Sequence, residues 1–338
     1  METESAAVFV LAEKMEREIQ PVSLQLIGKA RQLADELGAN VGVVLLGQDL
    51  TNDAQKLIAA GADLVLKADS KSLVPYQSEL YTEIILKLMV ERRPEILLIG
   101  STFMGRELAP LIAARLETGL TAHCIELVIG GEGVLEQRIP AYGGMITIVC
   151  PEKRPQMATV ANGVFPNPVL NPARSGEVIS IEVPRNLPQR IQTIEIIREK
   201  LEGVSLETAS VIVAGGAGAG DQEGWDQIEE LAGILNAGFG STRPAVDAGW
   251  TELETMIGQS GRMVNPDLYI GVGLSGELQH MVGIVGAKIM IAINKDAKSP
   301  VFEKVDYGVV EDCRVFVPAL VKRLKNTESY AGKVAHVI

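Results

Sequence analysis

The stretch Pro266-Asp-Leu-Tyr-Ile-Gly-Val-Gly-Leu-Ser-Gly-Glu-Leu-Gln-His280 constrains the fold of this chain more than any other. Leu268 to Val272 is apolar and partly β-branched, the pattern of a buried strand. Gly271, Gly273 and Gly276 follow with the GxGxxG spacing of a turn that lets backbone approach a phosphate. From Ser275 the chain is expected to enter a helix with Ser275 as its cap. A helix N-terminus there offers unpaired N–H groups and a positive dipole end to a diphosphate or the electron-rich edge of a redox ring. Taken alone, the same spacing also describes a tight strand-to-helix turn without a ligand, and the neighbouring segments decide between the two.

Those segments repeat the strand–turn–helix unit through all 338 residues, a length that accommodates two domains. Ala6 to Leu11, Val41 to Leu46, Leu64 to Leu66 and Ile96 to Ile99 read as strands. Val22 to Leu37, ended by Gly38, Asp53 to Ala60, ended by Gly61, and Tyr76 to Glu91, stopped by Pro94, read as helices. Continuous apolar strands joined by amphipathic helices imply an α/β fold with a parallel sheet covered on both faces. Gly100 to Pro110 leaves a strand end, where open sheets bind ligands, but reads better as the cap of a helix carrying Leu108, Leu111, Ile112 and Leu116. From Thr121 to Val160 short strands with turns at Gly130–Gly133 and Tyr142–Gly144 suggest an antiparallel extension of that sheet. Val178 to Val183 reads as an edge strand between proline-rich stretches, and Ile191 to Ile197 as one further strand. Arg198 to Leu206 is polar enough for a hinge, which places the domain boundary near Gly203.

The second domain opens with the strand Ala209 to Ala214 running into Gly215-Gly-Ala-Gly-Ala-Gly220, then the helix Trp225 to Leu235. Lys288 to Ile293 is the next strand, and Val317, Leu320, Val321 and Leu324 mark a last helix. The turns are repeatedly glycine-rich, so several backbone segments can approach one ligand.

A net charge of -12 argues against a nucleic-acid partner, because phosphate backbones require a basic surface. Cys124, Cys150 and Cys313 form no CxxC, which excludes an iron–sulfur cluster or structural zinc held by this chain's cysteines alone. His123 and Cys124 are adjacent on an expected strand and point to opposite faces, which defeats joint metal ligation. No GxSxG elbow or HExxH is present. The absence of a basic leader with an apolar run, and of any run long enough to span a bilayer, leads to the expectation of a cytoplasmic prokaryotic protein.

The turns of the second domain together resemble the α subunit of electron-transfer flavoproteins. The resemblance is carried by Ser241-Thr-Arg-Pro-Ala-Val-Asp-Ala-Gly249, Gly258-Gln-Ser-Gly261, Pro266 to His280, Ala292-Ile-Asn-Lys-Asp296, Pro300-Val-Phe302 and Asp306-Tyr-Gly308, in the family's order and nearly its spacing. The first domain agrees in layout, which resembles nucleotide-α-hydrolase-like folds, and in Pro155-Gln-Met-Ala-Thr159. The resemblance implies an N-terminal domain over 1–203 that docks a β subunit, a doubly wound FAD-binding domain over 207–326, and a C-terminal tail over 327–338. It also implies electron exchange with acyl-CoA dehydrogenase-type flavoenzymes, and in bifurcating members with NADH and ferredoxin or flavodoxin through β.

Residue by residue, the resemblance places His280 beside the flavin C2 carbonyl, where a protonated or donating imidazole stabilises the negative charge of the reduced ring. Arg243 lies over the flavin, and its alternative reading is a surface salt bridge. Ser260 offers a hydroxyl to flavin N5, with Gln259 and Thr242 as further donors. Ile257, Gly258, Ser275, Gly276, Glu277, Leu278 and Gln279 run along the ligand. Asn294 lies near the diphosphate or ribityl chain, Asp312 and Cys313 near adenosine, and Gly216 at the phosphates. The chain departs from many relatives at Ala217, where they carry arginine. Backbone N–H groups of Gly216 to Gly220 or another cation are then expected to compensate, with weaker or more salt-sensitive FAD binding.

Two rival readings stand beside this one. In the first, the chain is a nicotinamide-dependent oxidoreductase in which Asp296, about twenty residues after the glycines, reads a ribose. Against it, only the residues from Ser275 to Gly286 are available for the helix of that unit. In the second, it is an interaction subunit whose nucleotide site is vestigial.

Overall fold

Continuous apolar runs can only be strands with both faces covered, and in the computed structural model they are. It describes residues 8–15, 18–141, 144–184, 190, 191, 193–197 and 203–326. The chain divides into two compact units, residues 1–197 and 198–338.

In the first unit the order is β1 (Val8–Ala12), α1 (Pro21–Leu37), β2 (Val41–Gly47), α2 (Thr51–Ala60), β3 (Leu64–Asp69), α3 (Ser78–Arg92), β4 (Ile96–Gly100) and α4 (Phe103–Leu116). There follow β5 (Leu120–Cys124), β6 (Glu126–Ile129), β7 (Leu135–Ala141), β8 (Gly144–Ile148), β9 (Gln156–Val160) and β10 (Glu177–Ser180). Seven strands form one parallel sheet in the order β10-β3-β2-β1-β4-β9-β5. Helices α1 and α2 pack their apolar stripes on one face, and α3 and α4 on the other. Pro21 opens α1 with its ring-fixed φ, and Gly38 closes it in the left-handed region at φ 63°. Thr102 caps α4 by accepting from the Gly105 N–H at 2.9 Å, so the Gly100–Pro110 segment is the helix cap that its sequence suggests. Leu111, expected inward on α4, is 39% exposed.

Three expectations are corrected here. The 121–160 segment does not extend the first sheet antiparallel. Instead β5 and β9 are parallel members of it, while β6, β7 and β8 form a separate antiparallel sheet. All five residues of β9 are buried, which only a place inside the covered sheet allows. Residues 191 and 193–197 form no strand; Ile191, Ile194, Ile196 and Ile197 are exposed, with no neighbour to pair them. His123 and Cys124 do not simply alternate, because the register with β9 slips there and His123 takes φ 62°. The edge strand expected near Val178 is β10, beside β3. The expected start of β1 at Ala6, residues 142–143 of a turn, 185–189 of the second proline-rich stretch, 198–202 of the hinge and the 327–338 tail lie outside the described residues.

The second unit contains β11 (Val211–Gly215), α5 (Gln222–Ile234), β12 (Gly238–Ser241), α6 (Arg243–Asp247), β13 (Leu268–Val272), α7 (Leu278–Met281), β14 (Ile289–Asn294), β15 (Tyr307–Val310) and α8 (Cys313–Lys325). Its five strands are parallel, in the order β12-β11-β13-β14-β15. The chain leaves β11 to one side for β12 and returns to the other for β13, so β11 and β13 bound the switch point where such sheets bind ligands. Trp225 on α5 is buried against Phe239 and Trp250, with ring centroids 5.0 and 6.0 Å away. The helix expected from Ser275 is absent as such. Gly273 and Gly276 take φ of 61° and 77°, the path stays irregular as far as Glu277, and α7 is a single turn. Among the described residues no helix is long and apolar enough to cross a membrane.

Candidate cofactor-binding site

The carboxyl ends of β11, β12, β13 and β14 and the start of α8 surround one cavity of about 610 Å³. That volume lies within the range of small-molecule and cofactor sites. Two glycine turns make its floor. Gly218 donates its N–H to the Gly273 carbonyl at 2.8 Å, and a Cβ on Gly218 would stand 2.6 Å from the Gly273 Cα, so the turns after β11 and β13 meet only because neither carries a side chain.

The wall near β12 is built by Thr242, Arg243 and the loop Met256 to Ser260. Thr242 donates its backbone N–H to the Gly215 carbonyl at 3.0 Å, which fixes its place at the start of α6. Its hydroxyl does not cap that helix: Oγ1 is buried without a hydrogen-bond partner beside the cavity. Buried hydroxyls are almost always paired, so this one is an unsatisfied polar group in a residue of the cavity wall. Arg243 is 66% exposed and its Nε donates to Asp247 at 2.7 Å, so the surface salt bridge is present while the guanidinium still lines the cavity. The loop is tied across by Gln259 N–H to the Gln279 carbonyl at 2.7 Å, leaving the Gln259 and Ser260 side chains exposed at the cavity.

His280 sits on α7, buried at 7% exposure. Its Nδ1 lies 2.9 Å from the Ile257 carbonyl and its Nε2 2.6 Å from the Tyr269 hydroxyl. A carbonyl only accepts, so Nδ1 carries the hydrogen and Nε2 accepts from Tyr269. Burial pushes the imidazole pKa down to about 4, partly offset by the bond to Ile257. Of the two expected forms, a protonated or a donating imidazole, burial disfavours the protonated one, and both nitrogens are engaged within the protein. Burial likewise raises the Tyr269 hydroxyl above its ordinary value, which keeps it a donor.

At the opposite end stand Asn294, Lys295, Asp312 and Cys313. Asn294 donates to the Leu274 carbonyl at 2.8 Å and to Ser299 at 3.2 Å, and so holds the β13 turn in shape. Asp312 caps α8 by accepting from the Arg314 N–H at 2.9 Å, and Cys313 donates from Sγ to the Gly218 carbonyl at 3.2 Å. Burial raises the Cys313 thiol pKa, so the sulfur stays protonated and structural.

Of the residues expected at the site, Gly216 and Leu278 do not line the cavity and all the others do. Gly216 is buried beneath the turn, its N–H on the Val272 carbonyl at 2.9 Å, and Leu278 is 39% exposed elsewhere on α7. Sequence reasoning did not single out Pro244, Met256, Leu274 and Lys295 as lining residues; it placed Gly273 in the phosphate-approaching turn and Gly218 among the Gly216 to Gly220 N–H groups, and noted Ala217 only as a departure. Pro244, Met256, Leu274 and Lys295 each adjoin an expected site residue in the chain, so adjacency was the available signal. Of the two expected compensations for Ala217, backbone N–H groups or another cation, the first finds most of its donors already engaged. Gly216, Gly218, Ala219 and Gly220 already donate to Val272, Gly273, Gly216 and Ala217, because the turn closes as a tight 3-10 element. Asp296, the ribose reader of the nicotinamide reading, accepts from the Lys298 N–H at 2.9 Å and does not line the cavity.

Comparison with known proteins gives two family matches. Residues 8–186 match the electron transfer flavoprotein domain, and residues 205–285 the electron transfer flavoprotein FAD-binding domain. An electron transfer flavoprotein subunit alpha of Thermoanaerobacterium thermosaccharolyticum is 42% identical, over 94% of this chain and 97% of its own length. A protein FixB of Clostridium saccharobutylicum is 43% identical over 94% and 96%. A subunit alpha of Megasphaera elsdenii is 39% identical over 97% and 99%.

Proposed function

The chain belongs to the electron-transfer flavoprotein α-subunit family and carries its FAD-binding domain, and on that footing we propose that it holds FAD across the carboxyl ends of β11 to β14 and pairs with a β subunit. In this reading the heterodimer carries electrons to and from acyl-CoA dehydrogenase-type flavoenzymes, and the first unit docks β. The observation that carries it is a cavity floored by two glycine turns and walled by Thr242, whose hydroxyl has no partner among the described residues.

Bound FAD supplies the redox chemistry. The chain's own residues supply placement and field. Arg243, fixed by Asp247, keeps a permanent positive charge at the cavity wall, which favours added electrons nearby. Thr242, Gln259 and Ser260 offer hydrogen-bonding groups to the ring's polar edge. His280 contributes a neutral ring locked by Tyr269 and Ile257, so it holds position without adding charge. The close-packed glycine turns bring backbone to the middle of the ligand.

The test is co-expression with the neighbouring β gene product, followed by counting flavins per heterodimer and measuring reduction by an acyl-CoA dehydrogenase and by NADH. The reading expects a yellow heterodimer with at least one FAD that stays with this chain when β is removed. A colourless chain, or flavin found only on β, overturns it. A second flavin on β together with NADH reduction would add bifurcation to the carrier role.

A further inference from the structure

A dinucleotide spanning this cavity brings a diphosphate with it, and the cavity has few ways to meet that charge. The glycine turn after β11 has four of its N–H groups already donated inside the protein. The single-turn α7 is too short to supply a dipole, the N-terminus of α8 already carries the Asp312 carboxylate, which accepts from the Arg314 N–H, and Glu277 adds further negative charge to the lining. Three lining residues could be cations. His280 is neutral, and Arg243 stands at the β12 end paired with Asp247. Lys295 is the third. It follows Asn294 at the end of β14, and among the described residues it is the lining cation with no ion-pair or hydrogen-bond partner.

The placement of Lys295 suits the role. Asn294 beside it is bonded to the Leu274 carbonyl, and Ser299 to the Ser275 carbonyl at 3.3 Å, so the β14 end is tied directly to the glycine turn after β13. That turn in turn packs on Gly218, next to Ala217. Lys295 thus stands at the β14 end of the cavity, next to the residue that ties β14 to the turn after β13, and its ammonium has no partner among the described residues. We infer that Lys295 supplies the countercharge for the diphosphate of the bound dinucleotide. Its ammonium is a point charge with three donors on a flexible stem, able to reach phosphate oxygens near the end of β14.

Because this rests on the dinucleotide reading, the test uses ADP, which has the diphosphate and no flavin ring, beside FAD. ADP is titrated calorimetrically into the full-length chain freed of flavin, at several salt concentrations. Lys295→Gln is expected to weaken ADP by about tenfold, as loss of one charge-assisted contact does, and to flatten the salt dependence. Ala217 is exposed and lines the same cavity, so adding Ala217→Arg to Lys295→Gln should restore both affinity and salt dependence. If Lys295→Gln binds ADP as tightly as the natural chain and with the same salt dependence, or if the natural chain does not bind ADP, the assignment falls. If ADP binds in the Lys295-dependent way while FAD does not, the assignment stands and the flavin reading falls.

Discussion

Thr242 is held in two conflicting ways: its backbone is fixed by Gly215 at the start of α6, and its hydroxyl is left buried and unpaired. An unsatisfied buried hydroxyl costs about 1–3 kcal/mol, and an isosteric apolar replacement removes that penalty. Thr242→Val should therefore raise the denaturation midpoint of the flavin-free chain while weakening FAD, two effects of opposite sign measurable by denaturant titration with and without FAD. A residue kept for packing would show destabilisation in both. Tyr269 behaves the other way. Its hydroxyl satisfies Nε2 of the buried His280, so Tyr269→Phe leaves a polar atom without a partner and should lower stability by about 1–3 kcal/mol. Nitrogen NMR of the imidazole should show the Nδ1–H tautomer in the natural chain; an Nε2–H tautomer would overturn the hydrogen-bond assignment. The sequence could place His280 at the site, but its charge depended on Tyr269, eleven residues earlier, and on a carbonyl, which no pattern announces.

Elements were legible where one physical signal dominated. A continuous apolar run such as Leu268 to Val272 has no polar face, so it is a strand in a covered sheet, and its carboxyl end is the place for a ligand. The helix after it was misread because GxGxxG reports spacing and not dihedral angles; Gly276 at φ 77° delays the helix until only one turn is left. Sheet membership of β9 depended on long-range pairing with β4, which short alternating segments do not encode. The loop 256–262 shows what single residues contribute to an element's shape. Gly258 takes φ 146°, and a Cβ there would lie 2.5 Å from the Gln279 carbonyl that ties the loop to α7. Gly258→Ala should thus displace Gln259 and Ser260 from the cavity. FAD retention through gel filtration should drop sharply, with a destabilisation of more than about 1 kcal/mol, since alanine is strained at this angle and also meets backbone.

At the scale of the whole molecule, the two units carry buried titratable groups with opposite consequences for stability. In the first unit Glu13, at the end of β1 and 4% exposed, hydrogen-bonds Thr102 at 2.7 Å. Burial lifts its pKa from 4.5 to about 7, against the Thr102 bond that lowers it. Folding thus favours the protonated carboxyl, and this contribution is full below pH 4.5 and fades as pH rises through about 7. In the second unit burial takes His280 from 6.5 to about 4, so folding favours the neutral ring. That contribution is intact above pH 6.5 and is lost as pH falls toward 4. Between about pH 5 and about pH 7 each group shifts its own unit by on the order of 2 kcal/mol, in opposite directions. Hydrogen exchange of core amides in β1 and β13, corrected for the intrinsic rate, reads the units separately. Acidification should protect β1 and expose β13 relative to neutral pH, once the other carboxylates are cancelled by comparison with Glu13→Gln and His280→Gln. Glu13→Gln should flatten only the β1 response and His280→Gln only that of β13, whereas a change in both from either substitution would mean that the two units unfold as one.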